Sequence, residues 1–444
     1  MRLTVLFFLL IFLTPKISYS EPISLDLNEA IQYALVNNHE LKSLSESIRV
    51  KEADLGIAQS SYLPKISFNE TYMRTNNPTY AFMAKLNEGR FAQNDFDINS
   101  LNNPSSINDY QTSFTVDQLI FSKKAILGIS MAKKDLQAQK LDYKRKKEEV
   151  VFKVIKSYLD VQTAKEYLKV AQKALDDSVE HEKIAQINYK VGLSVYSDVL
   201  RSETSVLAAK ERLVSAKKNF EVLQRSLGLV LGIEDNVIPT GDFDFPLKLQ
   251  SEDYYKTASL NRADLKAIEL RNKIAKNNIE FALAGYLPYA GLSATYQMND
   301  HSNIFGSEGD SYQFLAYLSW NIFDGTKREN EIKKAKAEQK MAEENLKALQ
   351  DAISLQVYSS YLGVEEAKTN LELAKGALSS AEEDTNIILH RYQNALSPFI
   401  DLLDAQTNLD NIRANLVDKE NKYYTSIVDL DYKSGTLLSD LGIK

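Results

Sequence analysis

The chain has no cysteine among its 444 residues. That excludes disulfides, thiolate metal sites and a thiol nucleophile, and it rules out lipid attachment at an N-terminal cysteine. Histidine is scarce. His39, His181, His301 and His390 are scattered and show no metal-ligand spacing. The sequence has no glycine-rich phosphate loop and no nucleophile–base set, so neither catalysis nor a cofactor is expected. With a formal charge of −7, no nucleic-acid partner is expected either. Only 9 prolines and 16 glycines interrupt the chain, and no stretch reaches the roughly 20 apolar residues of a membrane-spanning helix.

Ala, Leu, Lys, Glu and Gln dominate long stretches, which is the profile of long helices. Residues 1–20 read as a signal peptide: Arg2 before an apolar core from Val5 to Leu13, then small residues at Ser18 and Ser20 before Glu21. The chain is therefore expected to be exported.

The rest is written twice. Tyr62-Leu63-Pro64 recurs as Tyr286-Leu287-Pro288, Tyr158-Leu159 as Tyr361-Leu362, and Leu193-Ser194 as Leu396-Ser397. Between 158–213 and 361–416, without gaps, about a third of positions are identical. A period of about 200 residues is too long for a solenoid and indicates a duplication. The first copy spans 21–231, with strands expected at 65–74 and 110–121 and a helical hairpin over 122–229. A linker covers 232–258. The second copy spans 259–430, with strands at 289–298 and 311–323 and a hairpin over 326–430. Residues 431–444 form a tail.

The hairpins follow from punctuation. From Ser122 to Gly192 there is no proline and, before Gly192 itself, a single glycine, Gly128. One helix of that length extends about 105 Å, more than a globular domain accommodates. Along it Val150, Val154, Tyr158 and Val161 recur at helical spacing and are expected to pack against neighbouring helices. The run Lys144 to Glu149 is expected to be a solvated face. In the strands the period drops to two: Ile66, Phe68 and Tyr72 alternate with Ser67, Asn69 and Thr71, and only Glu70 breaks the apolar side. Four strands of this length, with one apolar and one polar face and aromatics at their ends, fit a membrane β-barrel. Four strands cannot close, because an open edge in lipid leaves backbone groups unpaired at several kcal/mol each. Two chains give an eight-stranded barrel filled by its own side chains; three give twelve strands with room for a bore.

The order of these parts resembles the TolC-type outer-membrane efflux family over essentially the whole mature chain. The resemblance rests on Leu25-Asp26-Leu27-Asn28-Glu29-Ala30, the two Tyr-Leu-Pro steps, the junctions Gln118-Leu119-Ile120-Phe121-Ser122 and Trp320-Asn321-Ile322-Phe323-Asp324-Gly325, and the turns at Val191-Gly192-Leu193 and Ala395-Leu396. It implies a homotrimer in the outer membrane, with a twelve-stranded β-barrel set in lipid on a periplasmic α-helical barrel. It further implies an exit duct of a tripartite efflux pump, docked to a periplasmic adaptor and an inner-membrane pump, proton-driven (RND) or ATP-driven (ABC). A type I protein-secretion duct is the alternative within that family. Outside it, a periplasmic coiled-coil adaptor would share the helical hairpins but lack two separated strand pairs.

The resemblance also implies roles for residues. Asp401 and Asp404 match an aspartate pair that lines the narrowest periplasmic point. Tyr392, with Ser197 and Asp198, matches a latch between neighbouring hairpins. The basic residue of that latch has no match, because Ser397 stands in its place. Gly192, Leu193, Ser194, Ala395, Leu396 and Ser397 form the tips that would meet the adaptor.

Overall fold

A computed structural model describes residues 23–241 and 249–443. The expected signal peptide, part of the expected linker and Lys444 lie outside them. In chain order the elements are β1 (Ile23–Leu25), α1 (Leu27–Asn37), α2 (His39–Ser60), β2 (Lys65–Thr75), α3 (Pro78–Asn87), α4 (Ile98–Asn102), β3 (Ile107–Phe121), α5 (Lys123–Lys190), α6 (Tyr196–Leu231) and β4 (Val237–Pro239). The second half adds α7 (Glu252–Ser259), α8 (Ala263–Leu283), β5 (Tyr289–Asp300), β6 (Gly309–Ser319), α9 (Lys327–Gln393), α10 (Phe399–Ser434) and α11 (Leu437–Asp440). Among the described residues no helix is long and apolar enough to cross a membrane. The chain divides into two units, one made of residues 44–145 and 262–352, the other of the rest.

The first unit carries an antiparallel sheet in the order β2-β3-β5-β6. Its register aligns Phe68, Phe114, Tyr296 and Tyr312 in one row across all four strands. Because side chains alternate along a strand, the next row in sequence faces the other way and is polar. There the Thr115 and Thr295 hydroxyls lie 3.0 Å apart, and the Gln111 amide donates to Gln297 at 2.7 Å. Glu70, the exception on the apolar face, accepts a hydrogen bond from its cross-strand neighbour Thr112. The outer edges of β2 and β6 have no partner strand among the described residues.

The strands depart most from expectation at β3 and β6. β3 begins at Ile107, where the polar loop already pairs with Thr75. β6 ends at Ser319, so Trp320 to Phe323 leave the sheet. Two of their carbonyls are satisfied elsewhere: the Arg328 guanidinium donates to Asn321 O at 2.8 Å and Ile322 O at 2.7 Å, and it stacks over the Tyr286 ring. Trp320 Nε1 donates to Tyr286 O at 3.0 Å. In the first copy Tyr62 works in a similar way, donating through its hydroxyl to Ser122 O at 3.0 Å. The repeated Tyr-Leu-Pro thus fastens each strand-to-long-helix junction.

The second unit is helical. α1 opens with a capping box, Asp26 accepting from the Glu29 amide while Glu29 accepts from the Asp26 amide. Val150, Val154, Tyr158 and Val161 are fully buried in it. The Tyr158 hydroxyl donates to Thr240 O at 2.8 Å beside the parallel pair β1–β4. The expected linker thus contains ordered elements, β4 and α7. Gly232 ends α6 with φ +81°, and a Cβ there would collide with the carbonyl of Asn37. The run from Lys144 is not a plain solvated face. Glu148 is buried, and Lys146 reaches Glu40 at 2.6 Å and Glu149 at 3.0 Å. The expected tail is helical as well, since α10 runs on to Ser434 and α11 follows.

Candidate functional site: the paired helix turns

Both long hairpins turn by the same backbone device. At the end of α5 the Gly192 amide donates to Tyr189 O and the Leu193 amide to Asn188 O. At the end of α9 the Ala395 amide donates to Tyr392 O and the Leu396 amide to Arg391 O. This closure needs one residue in the left-handed region. Gly192 adopts φ +78° there and Ala395 φ +57°. Leu193 and Leu396 at the two crests are exposed.

The side chains around the turns differ. Tyr392 is 3 % exposed and packs with Ala185, Phe399 and Leu402, its ring 5.2 Å from that of Phe399. Asn188 donates to Tyr392 O at 3.5 Å, tying the two turns together. Burial pushes the Tyr392 phenol above its usual range and the Asp198 charge adds to this, while Ser194 and Asn188 pull it back. The Tyr392, Ser194 and Ser397 hydroxyls are shielded, and none completes a full hydrogen bond among the described residues. The structure therefore brings Tyr392 and Asp198 into electrostatic reach. Ser197 is exposed and stands apart from that core. Arg391 is exposed too and takes part in no ion pair among the described residues.

Asp401 and Asp404 sit in the first two turns of α10, both exposed, with Leu402 buried between them. A spacing of three places them on one helical face, and the N-terminal end of a helix favours negative charge. Further along, α10 is clamped to α5. Arg413 contacts Asp177 at 3.0 Å, Gln406 donates to the same carboxylate at 3.3 Å, and Lys173 holds it from its own helix at 2.7 Å. Burial alone would raise the Asp177 carboxyl, yet Lys173 and Arg413 bring it below its ordinary value. The exposed aspartates thus stand on a helix whose orientation is fixed by a partly buried ion network.

Sequence reasoning missed that network and the apolar surface of the first turn, where Tyr189, Val191, Val195 and Tyr196 are all exposed. The only signal for Tyr189 was its place in the duplication opposite Tyr392.

A profile described as "Outer membrane efflux protein" matches residues 30–232 and 254–436, one segment for each copy. The chain belongs to the outer membrane efflux protein family. It is 19 % identical over 429 residues to the outer membrane efflux protein BepC of Brucella suis, spanning 94 % of this chain and 88 % of that one. To the outer membrane protein TolC of Escherichia coli it is 21 % identical over 429 residues, with 93 % and 82 % covered. The crystal structure of the Campylobacter jejuni CmeC outer membrane channel superposes with a TM-score of 0.76 at 19 % identity, covering 93 % of this chain and 86 % of that one. The family is one of channel proteins of the outer membrane, and this protein resides there.

Proposed function

We propose that three copies of this chain join their four-stranded sheets into one twelve-stranded barrel, forming the exit duct of a tripartite efflux pump. The observation that carries this is the open sheet. The outer edges of β2 and β6 are unpaired among the described residues, while the face bearing Ile66, Phe68, Tyr312 and Phe314 is exposed and apolar. Lipid accepts such a face and rejects such edges. Pairing β6 of one copy with β2 of the next removes every edge, and three copies leave a bore.

In that assembly the paired turns form the periplasmic end, reaching an adaptor and an inner-membrane pump. The exposed apolar crest around Leu193 and Leu396 supports docking there. The Asp401 and Asp404 carboxylates, one pair per copy, then make two rings of negative charge that favour cations. Tyr392 and Asp198 hold the hairpins closed.

Single-channel recording in planar bilayers tests the reading. The purified protein is expected to conduct as a trimer with a cation preference, and Asp401→Ala combined with Asp404→Ala is expected to weaken that preference. A monomeric detergent particle that passes no current would overturn the duct. Unchanged selectivity in the double variant would overturn the charged rings.

A further inference from the structure

The turn between β5 and β6 gathers carboxylates around a histidine at the end of the sheet away from the long helices. One ligand atom each from Asp300, His301 and Glu308 falls within 4.8 Å of the other two. His301 Nδ1 lies 2.6 Å from the Glu308 carboxylate. Asp300 Oδ1 is committed to the turn, accepting from the Ser302 and Asn303 amides at 2.8 and 2.7 Å. Its other oxygen lies where Gly306 leaves space that a Cβ would fill.

A second observation comes from α3. Glu88 caps the C-terminal end of that helix and is 1 % exposed. Its Oε2 accepts from Arg90 Nη2 and Nε at 2.5 and 2.8 Å, but its Oε1 meets no donor among the described residues. The same guanidinium reaches Glu308 at 3.5 Å, so Glu88 is coupled to the cluster. Asp109, also buried, accepts a bond from Asn299 at 2.8 Å and adds charge beside Glu88. Glu88 and Glu308 thus share one guanidinium while Asp109 adds a further negative charge beside Glu88, and buried charge without a counter-ion is expensive. Burial pushes the Glu88 carboxyl up.

We propose that Asp300, His301 and Glu308 bind a divalent transition-metal ion, with Zn2+ as the reference case, and that Glu88 supports the site through Arg90. One imidazole and two carboxylates are a donor set for Zn2+, with bonds of about 2.0–2.2 Å. Ligand atoms around such an ion stand about 3.3 Å apart, so the side chains need move only about 1–2 Å. A ring nitrogen favours zinc, copper or nickel over calcium, which takes oxygen ligands. Metal at Nδ1 would take the place of the His301–Glu308 hydrogen bond. Bound, it would pin the β5–β6 turn to α3. All these residues come from one chain and one unit, so the site stands independently of the trimeric duct.

The test is isothermal titration of the full chain, free of any histidine tag and held in detergent, with ZnCl2 and separately with CaCl2. One Zn2+ per chain with a micromolar Kd is expected, with Ca2+ at least tenfold weaker. His301→Ala and Glu308→Gln should each weaken Zn2+ by tenfold or more. Glu88→Gln should weaken it by about tenfold, the usual effect of losing a supporting group. His301 is partly exposed in a turn, so its replacement leaves the sheet intact, which circular dichroism verifies. No stoichiometric Zn2+ in the parent, equal affinity in the parent and the His301 and Glu308 variants, or tighter Ca2+ than Zn2+ would each overturn the site.

Discussion

The two hairpin turns share a backbone and differ in what they bury. In the first copy Tyr189 is 46 % exposed and its ring sits 5.4 Å from that of Tyr196, itself largely in solvent. In the second copy the corresponding pair, Tyr392 and Phe399, is inside. Five residues on from the crest leucine of each turn the first copy has Asp198 and then Arg201, whereas the second has Asp401 and then Asp404. Duplication thus preserved the turn, because its hydrogen bonds run through main-chain atoms. The side chains were free to diverge into one turn with an apolar exterior and one with an aromatic core and an acidic exterior. The helix ends at the opposite side of the same hairpins repeat the lesson. α6 and α10 both close on a left-handed glycine, Gly232 and Gly435. The equivalent site four residues earlier is Gly228 in one, pressed against the Asp235 carbonyl, and buried Asp431 in the other.

The largest expected effect comes from the buried aromatic pair. Tyr392→Ala should destabilise the α9–α10 turn by about 3–5 kcal/mol, as loss of a buried ring does. Tyr189→Ala should cost well under about 1 kcal/mol, as substitutions at exposed positions do. Hydrogen exchange at the two turns reads both, and equal losses would erase the inside–outside distinction.

Asp431 gives the next effect. Burial, with Asp440 adding repulsion and Tyr255 opposing, lifts its carboxyl to about 7. A carboxyl raised on folding binds its proton more tightly in the folded state, so its destabilising effect grows as pH rises from about 4 to about 7. Each tenfold gain in proton affinity is worth about 1.4 kcal/mol. Asp431→Asn should therefore raise stability at pH 8 by up to a few kcal/mol and leave it little changed at pH 4. Thermal melts at the two pH values measure this. The first copy has Gly228 at that position, which carries no titratable side chain.

The smallest effect isolates the backbone. Ala395 holds a left-handed conformation that costs a non-glycine residue roughly 1–2 kcal/mol. Ala395→Gly should gain about 1 kcal/mol and Gly192→Ala should lose about 1 kcal/mol, since a Cβ at 192 meets no neighbour and the penalty is conformational. Paired melting curves check the two signs, and matching signs would mean that the turns are not equivalent.

Much of the fold was legible because it is periodic. The long helices, the four strands and the duplication follow from spacing and from where proline and glycine fall. The strand that stopped early was not legible, because Arg328 captures two carbonyls that the alternating pattern assigns to the sheet. The ordered linker escaped notice because β4 is three residues long and pairs with β1, far away in sequence. Of the candidate site, Asp401 and Asp404 could be placed on one helical face from their spacing. The inward packing of Tyr392 against Phe399 and the clamp from Arg413 to Asp177 could not, since each joins residues on different elements.

The sequence by itself determined the exported, twice-written plan of strands and long helices, because local periodicity and turn chemistry act over a few neighbouring residues. Only the tertiary structure decided which tyrosine of an equivalent pair is buried, where carboxylates crowd around His301, and which sheet edges remain open. Those outcomes depend on distant segments meeting, and a side chain's environment is set by what it meets.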